Sequence, residues 1–391
     1  MIKKIGVIIL STSLFLTAIP SIFINLDFPN GLVQEINAAS NEEVSTDDSN
    51  INKQNKGSTT GFIAKIKSTN ISLVGDKLSI FTESSFDRWS YVSQISQFTD
   101  KEGKLSFAYT DDSFLYIVTL NSDKSINETI KINKKYPEMG GVACDTDGYY
   151  YVVWGKPDNS GKGGVTTAAI SKYTSTGSIV KTTNFTTSVQ DENGSSWDTR
   201  YPFDAGNCAI AIKDGILVCS YGREMYNGHQ SNAVIAVYTS DMKKCDKYDS
   251  YASHSFDQRV VFDSNKDVWF ANHGDAYPRG FGVTYSPENK SNFSKDYVPF
   301  HFYAEASAMN DMYVLNETKA QLGGIAATKN GVVLIGSSVK GMTESTYNTQ
   351  KKNLFITYVD GSKKMPNSTS RTGTCLGENV TDTGIKWLTD Y

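Results

Sequence analysis

From Gln94 onward, short runs of Val, Ile, Leu, Tyr and Trp alternate with tight clusters of Gly, Asn and Asp. Four stretches share one plan: Gly141 to Trp154, Asn207 to Cys219, Gln258 to Phe270 and Gly324 to Gly336. A fifth, looser copy runs from Gln94 through Glu102 and Gly103 to Tyr109. Each reads as an apolar strand, a turn in which Gly supplies positive φ, and a second apolar strand, which predicts a β-hairpin. A further apolar strand follows several of them, as in Ala168 to Tyr173, Ala233 to Tyr238 and Leu354 to Tyr358, so the repeating unit is a small multi-stranded sheet.

The turns at Gly103, Gly148, Gly215, Asp267 and Gly331 are separated by 45, 67, 52 and 64 residues. That spacing suits propeller blades carrying loop insertions. A lone blade cannot bury both of its faces, whereas blades stacked in a ring can. The expectation is an all-β chain folded as a β-propeller of six or seven blades over residues 61–391. Five repeats are visible, and the strand-rich ends Gly61 to Val92 and Gly373 to Tyr391 would supply the rest. Tandem β-sandwiches are the competing architecture, and the near-regular period argues against them.

The N-terminal sixty residues follow a different pattern. Lys3 and Lys4 precede an apolar run from Ile5 to Pro20, and small residues follow at Ala38, Ala39 and Ser40. This is the form of a secretory signal peptide over residues 1–39. The alternative, an uncleaved anchor, needs about 20 clean apolar residues, and Pro20, Asn25 and Asp27 interrupt the run first. Residues 40–60 are dominated by Asn, Ser, Thr and Asp and read as a flexible linker. The expected location is therefore secreted or extracellular, at or near the cell surface, with no membrane span after signal cleavage.

Composition narrows the functional classes. A formal net charge of -4 with 20% charged residues argues against capture of nucleic acid, and the sequence offers no basic cluster for it. No motif calls for a cofactor. The five cysteines, Cys144, Cys208, Cys219, Cys245 and Cys375, are too few and scattered for a disulfide scaffold. Cys208 and Cys219 flank one predicted turn and would point to one face if Ile212 pairs with Leu217; both a bridge and buried free thiols remain open.

Rare residues mark a candidate site. Of six Arg in the chain, four lie between Arg200 and Arg279, and His229, His254 and His273 fall in the same segment out of four His. Blades need neither residue type for packing. Arg offers a planar fork for carboxylate or sulfate, and His exchanges protons near neutrality. The polar stretches Trp197 to Pro202, Met225 to Gln230, Ser253 to Arg259 and His273 to Gly280 each adjoin an apolar run. Loops of neighbouring blades converge, so these stretches predict a shared ligand face. The ligand-binding candidates are Asp198, Arg200, Tyr201, Asn207, His229, Gln230, Arg259 and Asp275, and the ligand class is an extracellular glycan or protein. The catalytic candidates are His254, His273, Tyr277 and Arg279. A metal site built from His229, His254, His273 and Asp275, and a purely structural network joining blade to blade, are the remaining readings.

The stretches Ser253-His-Ser-Phe-Asp-Gln-Arg259 and His273-Gly-Asp-Ala-Tyr-Pro-Arg-Gly280 resemble secreted bacterial repeat proteins of propeller type, a resemblance that covers the central part of the chain and implies no particular activity. A looser analogy is to polysaccharide lyases built on propellers, which pair His with Tyr and Arg. On that analogy Arg279 or Arg259 would neutralise a uronate carboxylate, Tyr277 or one His would take a proton, and the other His would protonate the leaving oxygen.

Overall fold

The computed structural model describes residues 95–190, 196–204, 207–274, 280–288, 295–301, 320–339, 352–361 and 386–387. These contain strands and no helix. The predicted signal peptide, the linker, the segment Gly61 to Val92 and most of Gly373 to Tyr391 lie outside them.

The strands form five four-stranded sheets, each built from consecutive antiparallel strands. Sheet one holds β1 (Ser96–Thr99), β2 (Leu105–Thr110), β3 (Phe114–Leu120) and β4 (Ile126–Asn133). Sheet two holds β5 (Glu138–Cys144), β6 (Tyr150–Gly155), β7 (Thr166–Tyr173) and β8 (Ile179–Thr186). Sheet three holds β9 (Thr199–Pro202), β10 (Cys208–Lys213), β11 (Ile216–Met225) and β12 (Gln230–Tyr238). Sheet four holds β13 (Ser255–Phe262), β14 (Val268–Gly274), β15 (Gly280–Ser286) and β16 (Lys295–His301), and sheet five β17 (Gln321–Ala327), β18 (Gly331–Val339), β19 (Lys352–Asp360) and β20 (Lys386–Trp387). The five turns singled out in the sequence each join the first two full strands of a sheet.

Those turns fold for a local reason that recurs. Asp100, Asp145 and Asp263 each accept, through Oδ1, the backbone amides two and four residues ahead, at 2.8 to 3.1 Å. The residue three ahead then takes positive φ: Gly103 at 76°, Gly148 at 85° and Lys266 at 69°. The second carboxylate oxygen of Asp145 accepts the Tyr151 hydroxyl at 2.7 Å, and that of Asp263 accepts the Trp269 indole N–H at 3.1 Å. One short side chain thus shapes a turn and anchors an aromatic ring of the next strand. Sheet three uses a two-residue turn instead, with Asp214 at φ 48° and Gly215 at 80°, the conformation that matches strand twist.

Burial explains the run-like sequences. Every residue of β6 and β14 is buried, because a middle strand covered on both faces has no polar face to show. The outer β8, rich in Thr, Lys and Asn, is largely exposed, which discourages pairing at a free edge. Successive sheets sandwich apolar layers: Phe98, Leu115 and Ile117 meet Met139, Val152 and Trp154 between sheets one and two. Tyr151 and Val153 meet Leu217 and Tyr221 between two and three, and Val218 meets Phe262 and Phe270 between three and four. Phe256, Trp269 and Phe281 meet Leu322, Leu334 and Phe355 between four and five. The far face of sheet one, with Phe107, Tyr109, Tyr116 and Val118, is buried too.

The first strands neighbour one another in chain order: β1 meets β5, β5 meets β10, β10 meets β13, and β13 meets β17. Polar side chains tie several of these contacts. The Val142 amide donates to Ser96 Oγ at 2.9 Å. Asn207 donates from Nδ2 to the Gln258 carbonyl at 3.2 Å, and its Oδ1 accepts the Gln258 amide. Arg259 reaches the Leu322 and Gly323 carbonyls at 2.8 and 3.1 Å.

Candidate functional site

The loops at one end of sheets two, three and four draw together the residues singled out in the sequence. In sheet three the first strand is broken: β9 pairs with the far end of β11, β10 with its near end, and Phe203 turns between them at φ 60°. Phe203 is fully buried against Tyr221. Its ring occupies space that sheet two leaves empty, since a Cβ at Gly140 or Gly155 would lie 2.4 or 2.5 Å from it. Beyond β12 a regular fourth strand is replaced by an irregular return from Lys244 to Ser253, bridged to β12 at Val237 and Ser231. Both irregularities put polar side chains at the sheet's end.

Buried bonds hold this end in place. Asp158, in the β6–β7 loop, accepts from Tyr226 Oη at 2.8 Å, Ser160 Oγ at 2.6 Å and the Gly163 amide at 2.9 Å. Burial would raise the Asp158 carboxyl, but these bonds together outweigh it and hold it at about 2. Burial first, and the Asp158 carboxylate also, push Tyr226 up to about 12, so it stays a neutral donor at neutral pH. The Asp158 amide donates to the Arg200 carbonyl at 2.9 Å, which ties the loop of sheet two to β9.

Arg223 does the same inside sheet three. Its Nε donates to Ser231 Oγ and the Asn232 carbonyl, both at 3.0 Å, and its Nη1 donates to the Trp197 carbonyl at 2.8 Å and Thr199 Oγ1 at 3.3 Å. A guanidinium satisfied by four protein acceptors fixes the chain around it. What it fixes is the backbone of Trp197, whose ring is 63% exposed and meets that of Tyr251, 38% exposed, edge to face at 5.7 Å. Large aromatic rings held in solvent by a half-buried, fully bonded cation are not explained by packing.

The histidines sit beside this pair. His229 Nε2 lies 2.9 Å from Ser253 Oγ, and the His229 and His254 rings are 4.8 Å apart. His254 takes φ 48°, unusual for a residue with a side chain, and its amide donates to the Gln230 carbonyl at 2.9 Å. Such strain collects at functional positions more than elsewhere. Arg200 lies over the Tyr201 ring at 4.8 Å, and Asp198 accepts the Ser188 amide at 2.7 Å. Trp197, Asp198, Arg200, Tyr201, His229, Gln230, Ser253 and His254 therefore share one end of sheet three and its flanking loops.

Other candidates take different places. Asn207 and Arg259 are engaged in the bonds joining sheets three, four and five, with Arg259 also paired to Asp257 at 2.5 Å. His273 is fully buried in β14 with its ring edge-on to Phe281 at 5.4 Å. Asp275, Tyr277 and Arg279 lie outside the described residues. Among the described residues no group of three or more His, Cys, Asp or Glu is placed to hold a metal ion. The sequence reading passed over Tyr251 and Asp158 altogether, and it placed Ser253 and Tyr226 in its polar stretches without choosing them as candidates. Trp197 was within one of its polar stretches but was not chosen, although a Trp with no apolar neighbours in period was a usable signal.

No protein-family profile and no curated protein sequence matches the chain. Solved structures of similar outline include an ulvan lyase from a new family of polysaccharide lyases, at 8% identity with a TM-score of 0.43, covering 71% of each chain. A sialidase of Trypanosoma rangeli is 10% identical with a TM-score of 0.41, covering 70% of this chain and 48% of that one. A protein of unknown function from Dyadobacter fermentans is 10% identical with a TM-score of 0.40, covering 70% and 80%. These likenesses are too loose to assign a function.

Proposed function

We propose that the chain is a secreted β-propeller that binds glycans at the end of sheet three. The ring reading is supported by the order of the sheets, each meeting the next through its first strand with an apolar layer between. The observation that carries the binding reading is the exposed Trp197 and Tyr251 pair. A pyranose ring presents an apolar C–H face and a polar rim, so it stacks on such rings while its hydroxyls seek donors and acceptors beside them. His229, Ser253, Arg200 and Asp198 offer those groups within the same loops.

The test is calorimetric titration with a panel of neutral and uronate-containing oligosaccharides. Trp197→Ala and Tyr251→Ala should each weaken binding at least about tenfold, the range of an interface anchor, without moving Tm. Binding unaltered by both changes, or no oligosaccharide bound at all, refutes the proposal. A second reading is eliminative cleavage of a uronic-acid polysaccharide. It is favoured by one observation, the close His229 and His254 rings at the same rim, which would divide the roles of base and acid. Release of unsaturated sugars that disappears in His254→Ala would support it over binding alone.

A further inference from the structure

Two sulfurs in sheet three lie closer than packing alone demands. Ile212 pairs with Leu217, which sets Cys208 opposite Tyr221 and Ile210 opposite Cys219. The cysteines are thus diagonal neighbours on one face of the β10–β11 hairpin, and strand twist brings one diagonal of such a ladder together. Their Sγ atoms are 3.3 Å apart, inside the van der Waals contact of two sulfurs and little more than 1 Å from the roughly 2.0 Å of a disulfide. Cys245 lies in the apolar layer on the other side of sheet three, and Cys144 is in sheet two with its Sγ 3.4 Å from the Asp145 carbonyl.

We propose that Cys208 and Cys219 are a built thiol pair that closes to a disulfide across β10 and β11 when the protein meets a low-molecular-weight disulfide. The thiolate of Cys208, the partly accessible member, attacks one sulfur of the oxidant, forming a mixed disulfide and releasing one small thiolate. Cys219 then loses its proton and attacks the Cys208 sulfur, forming the protein disulfide and releasing the second small thiolate. Two thiol protons and two electrons leave the protein, and the oxidant departs as two thiols. Cys219 is fully buried, and burial, with Cys208 beside it, raises its thiol well above the usual range. That order of attack follows, since the member that water reaches must act first.

The experiment treats the full chain with oxidised glutathione, denatures it in iodoacetamide without reductant, and maps its tryptic peptides by mass. Trypsin cuts at Lys213, between the two cysteines. Peptides from either side of that cut, linked and two hydrogens lighter than their sum, are expected, with Cys144 and Cys245 alkylated. Alkylation of both Cys208 and Cys219 after oxidation, or a link from either to another cysteine, overturns the proposal. Mild reduction should lower Tm by a few degrees in the oxidised protein and leave Cys208→Ser unmoved; an equal drop in Cys208→Ser also counts against it. The peptide map needs no variant, so a poorly folding Cys208→Ser leaves the test intact.

Discussion

Sheets two and three share a plan of antiparallel strands and lie face to face, yet they spend their residues differently. Sheet two keeps four full strands: β5 runs through as one strand with a bulge between Met139 and Gly141, its first turn is organised by Asp145, and β8 closes it with a largely exposed edge. Sheet three breaks its first strand at Phe203 and replaces its fourth by the irregular return to Ser253. His229, His254, Arg200 and Arg223, with the exposed Trp197 and Tyr251, gather at those breaks. Where the ladder is complete, side chains are occupied with packing; where it is interrupted, backbone groups need side-chain partners, and others are left facing solvent. Departures from the repeat, and not the repeat itself, coincide with the proposed binding site.

Phe203 is the point at which the two sheets depend on each other, and removing it should have the largest effect. Its ring fills the space left by Gly140 and Gly155, so Phe203→Ala leaves a cavity between sheets and should cost about 3–5 kcal/mol. Urea denaturation measures it. If the cost is under about 1 kcal/mol, the break in sheet three is not packed against sheet two as described.

The same junction should respond to pH. Glu138, 6% exposed at the start of β5, has its carboxyl raised to about 8, first by burial, then by the nearby Asp204 and against the pull of Lys134. Its Oε2 has no hydrogen-bond partner. A carboxyl whose folded pKa lies above its unfolded value contributes stability that is complete below the unfolded value, near 4.5, and lost as pH rises through the folded one. Stability should therefore fall between pH 5 and 8, by an amount on the order of 2–4 kcal/mol. Glu138→Gln, uncharged throughout, should flatten that slope in Tm against pH. A parallel slope in the variant would assign the pH response to other groups.

The first turns of the two sheets offer a smaller contrast. Asp145→Ala removes the acceptor of two amides and of the Tyr151 hydroxyl, which should cost roughly 2–3 kcal/mol. Asp214→Asn, in the two-residue turn of sheet three, should stay within about 0.5 kcal/mol, because Asn takes positive φ as readily as Asp. Equal effects at the two sites would mean that turn chemistry does not distinguish the sheets.

Much of this fold was legible in the sequence because its signals are local. The turns at Gly103, Gly148, Gly215, Asp267 and Gly331 announce themselves by residues that bond within four positions, and the middle strands announce theirs by unbroken apolar runs. His229, His254 and Arg200 were legible only through scarcity, as residues a strand repeat does not need, and Asp198 through the polar stretch it shares with Arg200. What failed to show were long-range assignments. Nothing near Arg259 or Asn207 says that their polar atoms are consumed between sheets, and nothing near His273 distinguishes a buried ring from an accessible one. The Trp197 and Tyr251 pair depends on how the irregular return of sheet three passes β9, which no local pattern encodes.

The smallest effect probes whether the Asp-centred turns are one device used in different sheets. In sheets one and two the position three beyond the Asp is Gly, whereas in sheet four it is Lys266 at φ 69°. A side chain there crowds its own carbonyl, at roughly 1 kcal/mol, and part of that is returned because Gly is looser in the unfolded chain. The Lys266 side chain offers little in exchange, since its ammonium lies 3.6 Å from an Asp214 carboxylate and both are about half exposed. Its carbonyl, which accepts the Tyr248 hydroxyl at 2.8 Å, survives the change. Lys266→Gly should therefore stabilise the protein by about 0.5 kcal/mol, read as a small rise in the urea midpoint at constant slope. Destabilisation would mean that Lys266 holds sheet four to sheet three through more than its backbone, and that the turn is not interchangeable with those of sheets one and two.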